Sequence, residues 1–309
     1  MINRVYMGYC KDELIRSQSA SGGIFPVIAN LVVSQGGVVY GAVYNENYHV
    51  CHIRATDQKS VHLMAGSKYV QSELKETFTS VSEDISKGIL TLFSGTPCQV
   101  AGLKSFLRQK RINSDKLICI DFVCHGVPSK TVWEAYLQYI CGKKSNIESI
   151  NLCDKGNGWD HRHVLFEFNG GKKYYRRQKE DIYIKAFVKN WSLRPSCFEC
   201  KFKYLSSESD IKIGDFWKCP VSNEKDKVEN GISLIVVNSH TGAEVLKSVE
   251  KHLILRDSTI SDISLGNPYF IKSVAHDNNR ELFMNLVCAK NVGIRRAYLL
   301  TKLKEKIFH

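Results

Sequence analysis

LTLFSGTPCQVAGLKSFL, residues 90–107, and ICIDFVCHGVPSKTVWEAYLQYI, residues 118–140, are built alike. Each opens as a short apolar run, turns through a segment containing glycine and proline, and continues at helical spacing, with Val100, Leu103 and Leu107 marking the first helix. Strand, turn and helix repeated in that order are βα units and imply a partly parallel sheet. Upstream, residues 22–34 put Ile24, Val27, Ile28, Leu31 and Val32 on one helical face behind Ser21-Gly22-Gly23, and Gly36-Gly37 ends that helix. VVYGAVY at 38–44 reads as a strand and HVCHIR at 49–54 as its antiparallel partner, followed by a polar segment and a helix near 74–87.

Past residue 150 the texture changes. VLFEF at 164–168, Asn169-Gly170-Gly171 and KKYYRR at 172–177 read as a hairpin, since Asn-Gly readily takes the positive φ of a tight turn. A helical stretch at 181–191, the strand-like DIKIGDFW at 210–217, ISLIVVN at 232–238 and the helical TGAEVLKSVEKH follow. IRRAYLLTKLKEKIF reads as a basic amphipathic helix that packs on its own domain or touches a membrane or an acidic partner. The expected fold is α/β (α+β): a mixed, partly parallel sheet with βα units in the N-terminal half, and a smaller α+β C-terminal half.

The 309 residues, 43% hydrophobic, suffice for one large domain or two modest ones. Against 31 acidic residues stand 43 Lys and Arg, a net charge of +12 that favours anionic partners. The basic residues are dispersed and no helix-turn-helix, RRM or zinc-finger pattern accompanies them, which argues against nucleic acid. The opening residues MINRVYMGYCKDEL lack an apolar core of signal-peptide length and no apolar run approaches a membrane span. The chain therefore reads as cytoplasmic, with no integral membrane segment and with thiols kept reduced.

Four of the 11 cysteines stand out. Cys98 in SGTPCQ and Cys124 in VCHGVP follow apolar runs at strand ends, the edge where open α/β sheets bind ligands. Cys197 and Cys200 in RPSCFECK form a C-x-x-C that presents two sulfurs from one turn. Together they form a candidate four-thiolate site for an iron–sulfur cluster or a zinc ion, between which spacing does not decide. Cys119 and Cys288 read as core, and Cys10, Cys51, Cys141, Cys153 and Cys219 as structural.

Two further segments carry chemistry. Ser19-Ala20-Ser21-Gly22-Gly23 lies at a helix start, where backbone N–H groups attract an anion and glycine permits close approach, although on sequence alone an ordinary serine N-cap is the favoured reading. GSKYVQS at 66–72 gathers a cation, a phenol, an amide and two hydroxyls, a set suited to a ribityl phosphate or an isoalloxazine edge, or simply a polar loop. With neither G-x-G-x-x-G nor a Walker motif, the chain is not a standard Rossmann dehydrogenase or P-loop enzyme.

SASGGIF at 19–25, GGVVYGA at 36–42, GSKYVQS at 66–72, SGTPCQVAGL at 94–103, VCHGVPS at 123–129, RPSCFECKFK at 194–203, SDIKIGDFW at 209–217 and NGISLIVVN at 230–238 resemble, in order, the beta-subunit family of coenzyme F420 hydrogenases and dehydrogenases. The resemblance implies three segments: a flavin-binding 1–85, a 86–255 carrying the iron–sulfur ligands, and a helical basic tail at 256–309. It implies FAD and a 4Fe–4S cluster, and so favours iron over zinc at Cys98, Cys124, Cys197 and Cys200. It makes Ser19, Ser21, Gly22 and Gly23, then Ser67, Lys68, Tyr69, Gln71 and Ser72, and finally Thr96, Pro97 and Gln99 the expected flavin cradle. Lys68 and His125 become the candidates for tuning or protonating the flavin.

Many members of that family begin with a ferredoxin-like C-x-x-C-x-x-C segment, whereas this chain begins with a lone Cys10. One cluster and an outside redox partner, a ferredoxin or another iron–sulfur subunit, are the expectation. The resemblance thus implies an oxidoreductase relaying electrons between a deazaflavin or small-molecule substrate and a one-electron carrier. Stand-alone bacterial relatives occur among surface-polysaccharide genes, which makes a sugar-pathway substrate plausible. The alternative is a non-catalytic, metal-stabilised assembly protein for polysaccharide enzymes.

Overall fold

The structure, a computed structural model, describes residues 4–142, 146–220, 228–289 and 292–307. The first stretch of chain carries β1 (Arg4–Cys10), α1 (Glu13–Gln18), α2 (Ile24–Ser34), β2 (Val38–Tyr44), β3 (Val50–Ala55), α3 (Gln58–Met64) and α4 (Thr77–Ser86). The two quoted βα units become β4 (Thr91–Gly95) with α5 (Pro97–Gln109), and β5 (Leu117–Phe122) with α6 (Lys130–Cys141). Then come β6 (Ile147–Asp154), β7 (His163–Phe168), β8 (Lys173–Arg177) and α7 (Ile182–Val188). The remainder holds β9 (Ile211–Asp215), β10 (Ser233–Val237), α8 (His240–Val249), β11 (Leu253–Asp257), α9 (Ile260–Gly266), α10 (Arg280–Cys288) and α11 (Gly293–Ile307).

The chain forms two compact units, each discontinuous. The first takes the described residues within Met1–Gly66, Ser72–Cys124 and Lys201–Lys272; the second takes those within Ser67–Gln71, His125–Cys200 and Ser273–His309. This spatial division and the segmentation at 85 and 255 describe different things, contacts in one case and sequence likeness in the other.

The first unit holds an eight-stranded sheet in the order β11-β1-β10-β9-β5-β4-β2-β3. Its centre is parallel, β2 with β4, β4 with β5 and β5 with β9, and both flanks are antiparallel. The expected mixed, partly parallel sheet is therefore present. Strand alternation sends Val39, Leu92, Ile118 and Ile120 to one face against α2, α3 and α8, and Tyr40, Phe93, Leu117 and Cys119 to the other against α4 and α5. Covering both faces is what requires LTLF and ICI to be continuously apolar rather than alternating. Opposite each other in the β5–β9 pairing lie Asp121 and Lys212, a fully buried ion pair with Lys212 Nζ 3.0 Å from Asp121 Oδ1.

The second unit packs α6, α7, α10 and α11 with the antiparallel sheet β6-β7-β8. Trp133 and Tyr136 of α6 meet Phe166 of β7 and Tyr183 of α7, with ring centroids 4.8–6.4 Å apart. Asp181, fully buried, caps α7 and accepts hydrogen bonds from the Tyr136 and Tyr174 phenols.

Three expectations need adjusting. The 169–171 hairpin forms, but its positive φ angles fall on Gly170 and Gly171 rather than on Asn169, because glycine takes that conformation at no steric cost. Cys288 is exposed, since α10 buries Phe283 and Val287 and the cysteine ends the helix on another side. The strands at 4–10, 147–154 and 253–257 have no counterpart in the sequence expectation. Phe308, the last residue of the expected basic helix, lies outside the described residues.

Candidate functional site

In the first unit the turn after β4 is organised by one glutamine. Gln99 Oε1 accepts from the Thr96 N–H at 2.9 Å, and Gln99 Nε2 donates to Ser72 Oγ at 2.8 Å. The SGTPCQ turn and the end of GSKYVQS are thus joined. Gly95 has no room for a side chain, for a Cβ there would sit 2.9 Å from Phe93 and 3.1 Å from Gln99 Oε1. Pro97 opens α5 at the position where its missing N–H costs nothing, and Cys98 follows, exposed on the first turn with Sγ 3.1 Å from Thr96 Oγ1. His52, which sequence reasoning passed over as a strand residue, stacks on Phe93 with centroids 5.2 Å apart and places Nε2 2.9 Å from the Ser94 carbonyl.

The loop at 19–23 is tied to the sheet. Ser21 Oγ donates to the Ile232 carbonyl, Gly22 N–H to Ser233 Oγ, and the Gly22 carbonyl accepts from Cys10 N–H. A Cβ at Gly22 would lie 2.5 Å from the Gly8 carbonyl oxygen, so this glycine is needed for packing against β1 and β10. Gly23 takes φ +82° as the N-cap of α2, and no side chain caps that helix. Ser19 Oγ donates to the Ile15 carbonyl. With both hydroxyl protons committed, what this loop offers an anion is the N–H groups at the start of α2.

Cys124 ends its segment of the first unit, half-buried, and its carbonyl accepts from Lys203 Nζ, which also donates to the Tyr269 carbonyl at 3.1 Å.

In the second unit Tyr69 and His125 meet on one ring. Phe187 has the Tyr69 ring 5.1 Å away and the His125 ring 4.7 Å away. Tyr69 stands in the left-handed region, φ +43°, its carbonyl accepting from Tyr183 Oη at 2.7 Å. Asn190 Nδ2 donates to the Ala275 carbonyl, so its Oδ1 faces His125 Nε2 at 2.8 Å and fixes the imidazole proton on Nε2. Next along the chain, Gly126 leaves room for Cys197: a Cβ there would lie 3.3 Å from Cys197 Cβ and 2.9 Å from Leu193. The Val127 N–H donates to Cys197 Sγ at 3.5 Å, and the Cys200 N–H to Ser273 Oγ at 3.0 Å.

Lys68 occupies the same unit, and burial pulls its ammonium down to about 7 while neighbouring Cys153 opposes that shift. Cys153 is itself surrounded. Its Sγ lies 3.3 Å from both Gln178 Nε2 and Tyr69 Oη and 3.8 Å from an Arg162 nitrogen. Of this group only Tyr69 was singled out from sequence; Cys153 read as structural, and no spacing motif links it to Gln178 or Arg162. Ser67 and Gln71 are half-buried on the same loop.

Thiolate is the donor type that an iron–sulfur cluster takes. Cys98 and Cys288 are exposed, Cys51, Cys124, Cys141, Cys197 and Cys200 half-buried, and Cys10, Cys119, Cys153 and Cys219 buried, so exposure alone does not single out the four candidates. A backbone N–H directed at Cys197 sulfur is the kind of contact that tunes such clusters. Among the described residues no three or more His, Cys, Asp or Glu side chains gather as a metal-holding group.

Residues 90–267, more than half of the chain, match the family model for the C terminus of the coenzyme F420 hydrogenase/dehydrogenase beta subunit. Among solved structures, a chain of the F420-reducing [NiFe] hydrogenase complex from Methanosarcina barkeri superposes with a TM-score of 0.59. The two are 15% identical, with 96% of each chain covered, which establishes a shared fold. No curated protein matches the chain in sequence.

Proposed function

The chain belongs to the coenzyme F420 hydrogenase/dehydrogenase beta-subunit family, and from that premise we propose that it is a flavin- and iron–sulfur-dependent oxidoreductase. It exchanges electrons between a small-molecule substrate or deazaflavin and a one-electron partner such as a ferredoxin. The observation that carries this reading is the convergence in the second unit of Tyr69 from GSKYVQS and His125 from VCHGVP on Phe187, beside Gly126 and Cys197. Segments that share no sequence proximity meet there with their polar groups already oriented.

In this reading the thiolates of Cys98, Cys124, Cys197 and Cys200 hold a 4Fe–4S cluster. The start of α2 behind Gly23, the GSKYVQS loop and the Thr96-Pro97 turn with Gln99 hold FAD. When bound, the flavin supplies two-electron chemistry and the cluster one-electron transfer. The protein's part is to place and to protonate. Lys68, with its amine drawn to about 7, takes up or releases a proton near neutrality. His125, held by Asn190, keeps its Nε2 proton and a fixed ring plane. The Gln99 side chain locks the turn bearing Cys98 to Ser72.

Anaerobically purified protein should show flavin absorbance over a broad iron–sulfur shoulder. Cys98→Ser, Cys124→Ser, Cys197→Ser and Cys200→Ser should each lower bound iron and sulfide, while Cys288→Ser should leave both unchanged. A colourless zinc protein would overturn the proposal in favour of a metal-stabilised binding protein, and iron content unaltered in all four variants would overturn the assignment of these cysteines to the cluster.

A further inference from the structure

Helix α11, GIRRAYLLTKLKEKI, is apolar on two opposite sides. Its inner side buries Ile294, Ala297, Tyr298 and Thr301, with Tyr298 against Trp191 at 5.6 Å. Its outer side carries Leu299, Leu300, Leu303 and Ile307, exposed by 54%, 41%, 56% and 67%. At 3.6 residues per turn these four fall within an arc of roughly 100° centred opposite the buried face. A surface helix ordinarily presents polar side chains there, and a contiguous exposed aliphatic stripe marks a contact surface.

The charges are arranged around that stripe. Arg295, Lys302 and Lys306 follow one edge, Lys304 the other, and Arg296 stands within it. The helix has a single carboxylate, Glu305, and it is turned inward and bonded to Lys189 Nζ at 2.5 Å. The outer face therefore bears five cations and no anion. Near Leu299 a groove of about 370 Å³ opens between α6 and α11, lined by Gln138, Tyr139, Arg295, Arg296 and Leu299 among others. No described helix is long and apolar enough to cross a membrane.

We propose that α11 docks this unit onto the surface of an anionic lipid bilayer. The aliphatic stripe sinks to the headgroup boundary, and the long Lys and Arg stems on either side lift their charges to the phosphates. Arg295 and Arg296 at the groove take one headgroup as a specific contact. A bilayer meets both features at once along the whole helix, about 22 Å for 15 residues. A protein partner would have to present an apolar channel with acidic groups along both rims.

The test is co-sedimentation of the full chain with vesicles of phosphatidylcholine alone, or with about one-third phosphatidylglycerol, at low and high salt. Binding should require the anionic lipid and weaken with salt. Arg295→Glu with Arg296→Glu should weaken it by roughly thirtyfold or more, from about fivefold for each cation lost near the surface. Leu303→Gln with Ile307→Gln should abolish it, and all four sites are exposed, so thermal unfolding should match wild type as a check on folding. Absence of wild-type binding to either vesicle, or binding that both double variants retain, overturns the proposal. So does sedimentation of vesicle-free wild type as a dimer that Leu303→Gln with Ile307→Gln dissociates, which would assign the stripe to a second copy. Capture of an acidic protein by the stripe while vesicles stay unbound would overturn it as well.

Discussion

Lys68 shows how an environment remote in sequence sets the chemistry of one residue. In GSKYVQS it is an ordinary loop lysine, yet in the fold the half-buried side chain holds its amine away from water, which draws it from 10.5 to about 7 against the opposing influence of Cys153. A base whose folded pKa lies below its unfolded one binds fewer protons when folded, so stability rises with pH between the two values. Comparing wild type with Lys68→Met by urea unfolding, the difference should move in favour of wild type as pH climbs from about 7 to about 10.5, and stay level outside that window. A flat difference across the window would mean that the amine is not desolvated. At the neighbouring loop, Gly22 and Gly23 separate by role: the first has no space for a Cβ, and the second has φ +82°.

Among the elements, α7 depends on one side chain. Asp181 caps it by accepting from the Tyr183 and Ile184 N–H groups at 2.9 and 3.1 Å, and it takes the Tyr136 and Tyr174 hydroxyls at 2.6 and 2.7 Å. Burial first, and the Asp181 charge second, push both phenols up, so they remain donors throughout the working pH range. Asp181→Ala removes a cap worth about 1 kcal/mol and strands the buried Tyr136 hydroxyl and the half-buried Tyr174 one, at up to about 1–3 kcal/mol each. A loss of roughly 3 kcal/mol or more is expected by urea denaturation, against roughly 1 kcal/mol for Tyr174→Phe. A loss for Asp181→Ala no larger than that of Tyr174→Phe would show that the carboxylate is not holding the four donors together. Because α7 also carries Phe187, its displacement should disturb the Tyr69–His125 arrangement as well.

For the whole molecule, the net charge of +12 is the property a redox partner meets first. On the proposed function, an acidic ferredoxin approaches by electrostatic steering, which salt weakens because exposed charges are screened over roughly 8–10 Å. Stopped-flow reduction of the bound flavin by reduced ferredoxin should slow as ionic strength rises, while reduction by dithionite changes far less. Equal salt dependence for both reductants, or reduction by a nicotinamide or deazaflavin with none by ferredoxin, would exclude a protein electron donor of this kind.

Local periodicity carried the βα units, the helix behind Gly23, the β2–β3 pair and the hairpin at 169–171, because each is set by residues a few positions apart. The candidate cysteines were legible for the same reason, through turns and the C-x-x-C spacing. What sequence periodicity could not supply was partnership at a distance. β1 enters the sheet between β10 and β11, strands more than two hundred residues later in the chain, and only long-range pairing places it there. GSKYVQS reads as one polar loop, but Ser67–Gln71 belong to the second unit and Ser72 to the first. Tyr69, His125 and Phe187 meet through ring contacts between segments that no sequence interval relates, and Lys68 comes under the electrostatic influence of Cys153 in the same way. Backbone preference and hydrophobic period act over single turns and strands, so they specify elements; burial, charge neighbours and ring contacts exist only once those elements are packed, and they decide the site.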